Sequence, residues 1–200
     1  MRLMSVTLVV LIALVLVPAR ASAEPKPYMI HGGVGFVKAL NDNAPDGSIG
    51  LHGGLIYRLQ NSPQVGIGAE FGYYMLGSES YSESDFYGNY VEVEADWATY
   101  PILGEIYFFV TPRTSTPYLV GGLGLYPLKV SVDAAASYNG YGGSASGSET
   151  ETNMGINGGL GFLFGRPGAQ LRFGADGRFH IIMTEQESTQ LIALMGRIFF

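Results

Sequence analysis

The chain has no cysteine, a single tryptophan, only 11 basic residues and few charged residues of either sign, 14% in all. Without cysteine no disulfide can staple a thin core, so the chain must be held by something else. Lys and Arg never cluster, and acidic groups outnumber them 17 to 11. That balance excludes nucleic acid or an anionic membrane surface as the main partner, because both attract clustered cations. Past the first twenty-odd residues no apolar run reaches the 18 or more that a spanning helix needs. Glycine and aromatics are plentiful, at Gly 29, Tyr 13 and Phe 11, and the mean hydropathy is +0.20. A chain this apolar, spread over short segments, has to hide its surface in a way that helices do not offer.

The N-terminal stretch reads as an export signal. Arg2 precedes an unbroken apolar run from Leu8 to Val17, and Ala21-Ser22-Ala23 forms a small-x-small cleavage site before Glu24. The apolar core is shorter than the ~20 residues a membrane helix requires, and Arg20 interrupts it. The expectation is a signal peptide over residues 1–23 and one domain over residues 24–200. Its removal leaves 177 of the 200 residues, and with Arg2 and Arg20 gone 9 of the 11 basic groups remain against 17 acidic ones.

The rest of the chain alternates with a period of two, the spacing of β-strands. Residues 28–38 set Tyr28, Ile30, Val34 and Phe36 against His31, Gly33 and Gly35. Residues 49–59 oppose Ile49, Leu51, Leu55 and Tyr57 to Gly50, His52, Gly54 and Arg58, and residues 65–75 oppose Ile67, Phe71 and Met75 to Gly66, Gly68, Glu70 and Tyr74. A fourth strand is out of phase with itself: Val91, Val93, Ala95 and Trp97 share one parity, Ile102, Ile106 and Phe108 the other, with Glu105 opposite. A bulge near Tyr100-Pro101 would absorb that slip. In the fifth, around residues 118–132, Leu119, Leu123 and Leu125 oppose Gly122, Gly124 and Tyr126 until Pro127 interrupts, after which the facing is open. The sixth (153–164) and seventh (171–181) are regular. In the seventh, Leu171, Phe173, Ala175, Phe179 and Ile181 oppose Arg172, Asp176, Arg178 and His180. The eighth carries Ile192, Leu194, Gly196, Ile198 and Phe200 on one face with Arg197 on the other.

Short turns at 61–63, 112–116 and 166–168 alternate with mostly longer, polar and acidic connections at 39–47, 76–90, 133–151 and 184–189. Eight such strands, short turns at one end and long loops at the other fit an all-β, eight-stranded antiparallel transmembrane up-and-down β-barrel, whose closure leaves no backbone group unpaired in hydrocarbon. A soluble eight-stranded barrel would put its apolar side chains inside. Here the face opposite the aromatics carries glycine with Arg58, Glu70, Glu105, Arg172, Asp176, Arg178 and Arg197, which makes a packed polar interior. Tyr28, Tyr57, Tyr73, Tyr100 and Tyr118 sit near strand ends, where interfacial girdles lie.

Pro117-Tyr118-Leu119-Val120-Gly121-Gly122-Leu123-Gly124, after Tyr107-Phe108-Phe109 and a short turn, resembles the Pro-Tyr-x-x-x-Gly-x-Gly segment of the outer-membrane protein β-barrel domain family. The leader, the strand count and a last strand ending on an aromatic residue extend the resemblance along the chain. It implies a bacterial outer-membrane location, a non-enzymatic monomer, and contact with outer-membrane lipid and lipopolysaccharide. It also implies handling by periplasmic chaperones and the barrel assembly machinery, with Phe200 and Ile198 as the assembly signal. It names no surface ligand.

The residues themselves add limits. His31, His52 and His180 lie on three separate inward faces without a ligand motif, so they read as polar filling rather than as a metal site. No His-x-Ser pair stands at the outer rim, which removes the lipid-modifying chemistry some such barrels carry. The glycine-rich segment 139–144 lacks the Lys and helix of a phosphate loop and reads as a mobile loop tip. Two functions stay open: action through outer loops in adhesion, recognition or envelope integrity, or a narrow pore for ions or small solutes. The loop carboxylates Glu79, Glu83, Asp85, Glu149, Glu151, Glu185 and Glu187 raise the further question of divalent-cation bridging.

Overall fold

A computed structural model describes residues 27–41, 47–85, 89–111, 115–138, 141–165, 169–184 and 188–200. The leader at 1–23 lies outside them. The strands are β1 (Tyr28–Ala39), β2 (Ser48–Leu59), β3 (Ser62–Ser84), β4 (Tyr90–Thr99), β5 (Ile102–Phe109), β6 (Thr116–Tyr138), β7 (Tyr141–Phe164), β8 (Arg172–Met183) and β9 (Ser188–Phe199). All pairings are antiparallel, and β4 and β5 both lie between β3 and β6, so they form one stave. The ring of eight staves closes where β1 meets β9, and there the N–H of Phe200 donates to the carbonyl of Ile30 at 2.8 Å.

Alternation decides the facing. Tyr28, Ile30, Val34 and Phe36 are exposed on the outside of β1, and the same parity exposes the apolar rows of β2, β3, β5, β7, β8 and β9. From Tyr28 to Phe36, at about 3.3 Å per residue and a tilt of about 40°, this apolar band is about 20 Å tall, the scale of a bilayer core crossed by strands.

Three expectations need correction. The slip in the fourth strand is not a bulge near Tyr100-Pro101. Pro101 has no N–H and breaks the ladder, but its carbonyl still accepts from Gly72 at 2.9 Å. The pairing with β6 keeps one offset on both sides, Thr99 with Leu128 and Ile102 with Leu125. No residue is inserted, so Val93, Ala95 and Trp97 keep the inward parity of Leu103 and Glu105. The bulge lies instead on β3, between Met75 and Gly77, where Gly77 takes a φ of 125° that a side chain would strain. Likewise β6 runs through Pro127 without changing face.

The second correction concerns the long connections. Most of residues 76–90 and 133–151 are strand, not loop. β3 and β4 pair out to Ser84 and Tyr90, β6 and β7 out to Tyr138 and Tyr141, and β4 and β6 pair from Tyr90↔Ser137 to Thr99↔Leu128. The two hairpins therefore fuse into a four-stranded sheet that rises past the apolar band. Tyr141, Gly142, Gly143 and Ser144, expected at a loop tip, belong to β7. Third, Tyr118 is no girdle residue: it is buried inside, on the parity of Tyr126.

Leu160, 67% exposed on the outer face at the level of Asp176, is the outward position that tests this facing. Phe173 lies near the terminal end of β8, and inner Gly174, which parity alone would offer as a mild control, is crowded: a Cβ there would come within 2.8 Å of the Phe199 ring. Leu160→Arg should lower stability in lipid vesicles by about 2–4 kcal/mol, and Phe173→Arg by less, because the cost falls toward the interface. Urea unfolding measures both, and equal stability of Leu160→Arg and wild type would contradict the outward assignment.

Candidate functional site

Each ionic side chain of the interior stands beside a glycine on a neighbouring strand. Arg197 is paired with Gly33 and Gly174, Glu70 with Gly54, Glu105 with Gly68 and Gly122, Asp176 with Gly161 and Arg178 with Gly159. The space is used: a Cβ on Gly159 would lie 2.9 Å from Arg178 Cγ, and one on Gly161 2.7 Å from Asp176 Cβ. An eight-stave ring has room for long polar side chains only where their neighbours have none.

These side chains meet in one belt. Arg178 Nη1 donates to Glu105 Oε1 and to Glu70 Oε1, the latter at 3.1 Å, while its Nε lies 3.3 Å from Asp176 Oδ2. Arg197 bridges the same pair from the other side, with Nη2 3.0 Å from Glu70 Oε2 and Nε 2.7 Å from Asp176 Oδ2. All five side chains are buried. Three carboxylates stand against two guanidiniums, and neutral donors add to the same carboxylates. Tyr107 donates to Glu105 at 2.5 Å, Asn157 to Glu105 at 2.7 Å, and Tyr118 to Asp176 at 3.0 Å. His52 Nδ1 stands 3.0 Å from Glu70 Oε1.

Of the seven residues expected in the polar interior, five converge. Arg58 and Arg172 stay at the end that carries the termini, half-buried; Arg58 lies 3.8 Å above the Phe109 ring. Phe200 and Ile198 face outward, as their parity requires. His31 and His52 are not on separate sites: their rings are 5.8 Å apart and both border Glu70. His180 is separate, with its Nδ1 2.9 Å from the Tyr126 hydroxyl. Among the described residues no three His, Asp or Glu side chains are grouped to hold a metal. Nor can one ion bridge the two hairpins through Glu79 and Glu149, since β3 and β7 are three strand spacings apart, about 14 Å. Glu185 and Glu187 lie outside the described residues.

The belt is closed above and below by apolar side chains that an interior of glycine and charge does not anticipate. Toward the termini pack Met29, Ile56, Phe109, Leu163 and Phe199. Toward the other mouth pack Val37, Tyr74, Leu76, Leu103, Ile182, Leu191 and Met195, with Trp97 and Leu128 partly buried against them. The signal is in the sequence: Met29, Ile56, Leu103, Ile182 and Met195 sit at the polar parity. Apolar side chains there seal the polar centre from water.

A family model described as "Outer membrane protein beta-barrel domain" matches residues 7–193. Among solved structures, neisserial surface protein A is 14% identical and superposes with a TM-score of 0.54, covering 87% of this chain and 96% of that one. Ail, the attachment invasion locus protein of Yersinia pestis, is 16% identical with a TM-score of 0.50, over 88% and 100% of the two chains. At these identities the likeness is one of fold. No curated protein matches the sequence.

The belt predicts coupled energetics. Arg178→Met leaves buried Glu105 without its cation and should cost about 3–5 kcal/mol, and adding Glu105→Gln should recover part of that loss. Urea unfolding in lipid gives both values. A small cost for the single variant, or no recovery in the double, would mean that the belt is not a coupled unit.

Proposed function

The chain belongs to the outer membrane protein beta-barrel domain family and resides in the bacterial outer membrane, and from that premise we propose that it is a non-enzymatic, monomeric surface protein. It acts through its projecting hairpins, in adhesion, recognition or envelope integrity. The short turns and both ends of the mature chain face the periplasm, the hairpins the outside. Outer-membrane lipid and lipopolysaccharide surround the apolar band, and the outward Ile198 and Phe200 are read by the assembly machinery after passage with periplasmic chaperones. Residues 1–23 are removed on export, so intact-mass measurement of the membrane-inserted protein should give Glu24 as the first residue. A mass that retains the leader would overturn that assignment.

The observation that carries this reading is the filled lumen. An apolar plug, an ionic belt and a second apolar plug succeed one another across the barrel, and the belt's side chains are 0–1% exposed. Conduction needs a connected wet path, and side chains packed at three levels interrupt it. The alternative, a narrow pore, is tested directly in planar bilayers. The refolded protein should show no stable unit conductance; reproducible steps would favour the pore and displace the loop-centred reading.

A further inference from the structure

The double row of apolar side chains headed by Trp97 leaves the barrel and enters water. Pairing sets Trp97 opposite Val130, Ala95 opposite Val132, Val93 opposite Ala134 and Val91 opposite Ala136. Opposed residues of an antiparallel pair project from the same face. Trp97 packs on the upper plug and Thr99 is fully buried, so this face continues the inner wall of the barrel out over its mouth. The other face of the same strands is polar, with Glu92, Glu94, Asp96 and Asp133 among serines. An amphipathic sheet thus stands above the membrane with its apolar side uncovered: Val91 is 46% and Val132 39% exposed. Contiguous exposed apolar surface of this kind marks a place where something docks.

The rims say what. The bulge at Leu76 turns Glu79 and Glu83 onto the apolar face, opposite Ala95 and Val91. On the far side β7 sets Glu149 and Glu151 opposite Val130 and Leu128. Among the described residues no Lys or Arg shares this face; Lys129 has the opposite parity. We propose that the face binds a cationic amphipathic peptide segment, its apolar row laid along β4 and β6 and its basic side chains reaching the carboxylates on either side. The width between rims, about 14 Å, accommodates an extended segment or a helix about 10–12 Å across. A second copy of the face would bring carboxylates against carboxylates. In the sequence, the segments that join β1 to β2 and β8 to β9 carry Asp42, Asp46, Glu185 and Glu187, of the same sign.

The inference deepens the proposed function and rests on the outward placement of the hairpins; its test separates the two. Trp97 is the only tryptophan and the chain has no cysteine, so each can report alone. The full-length protein in zwitterionic phosphatidylcholine nanodiscs is titrated with a tryptophan-free leucine–lysine amphipathic peptide of about 14 residues, ~21 Å as a helix, against empty nanodiscs. Saturable blue-shifted Trp97 emission is expected, with no shift from a lysine–serine peptide of equal charge. Affinity should fall about tenfold when Glu79, Glu83, Glu149 and Glu151 all become Gln, and by a similar factor in Val93→Ser with Val132→Ser. No saturable response in the wild type, a shift from the lysine–serine peptide, or unchanged affinity in either variant set would overturn the proposal. If either set alters the circular dichroism, single Glu79→Gln and Glu149→Gln replacements, each expected to weaken binding measurably, take its place. Separately, Val93→Cys on intact cells should react with a membrane-impermeant maleimide. Labelling only after permeabilisation would overturn the outward placement, and with it the surface role of the docking face, whatever the nanodisc titration gives.

Discussion

Hydrocarbon offers no hydrogen-bond partner, so every peptide N–H and C=O within the bilayer must find one in the protein itself. Among the described residues no helix is long and apolar enough to cross, strands do the crossing, and the pairing of β1 with β9 is the contact on which everything else depends. An open ring would expose two unpaired edges to lipid. Once it is closed, the alternation of side chains assigns one parity to lipid and the other to the lumen, and each substitution acquires its meaning from that assignment.

Closure also creates the packing problem that the interior solves. A ring of eight staves is too narrow for large side chains at every inward position, yet too wide to be left empty. Glycine opposite charge resolves it. The missing Cβ atoms at Gly54, Gly122, Gly159 and Gly161 make room for Glu70, Glu105, Arg178 and Asp176, while the charges, drawn together from four strands, pair with one another away from water. Met29, Ile56 and Phe199 below and Leu76, Leu103 and Met195 above then shield the belt, which strengthens its electrostatics by excluding solvent. The same arrangement that stabilises the barrel obstructs its lumen, and so moves any function toward the ends.

At the mouth, one extra residue has large consequences. The bulge at Leu76, made possible by the positive φ of Gly77, exchanges the faces of β3 above the membrane. Without it, Ser78, Ser80 and Ser82 would line the face that carries Trp97, and Glu79 and Glu83 would point away from it. The acidic rim of the apolar face therefore exists because the register shifts at the height where the strands leave lipid. Bulges tend to occur where a strand must re-aim its side chains.

Much was legible from the sequence because a period of two is a local property. The strands, the outward apolar rows, the inward Glu70, Glu105, Asp176, Arg178 and Arg197, and the family resemblance carried by the segment 117–124 all follow from residues near one another in the chain. What alternation could not give was anything that depends on register between strands. Whether Val93 and Trp97 face lipid or lumen turns on whether a residue is inserted near Pro101 or on the neighbouring strand. Whether residues 133–151 are loop or sheet turns on whether β6 finds β7 and β4 beyond the bilayer. That Arg58 and Arg172 stand apart while the other five ionic residues join turns on their heights in the ring. The sequence alone determined which side of each strand is apolar, since that needs only one strand's own pattern. The tertiary structure decided which side chains share a level and where a strand changes face, because those are properties of hydrogen-bonded pairs of strands.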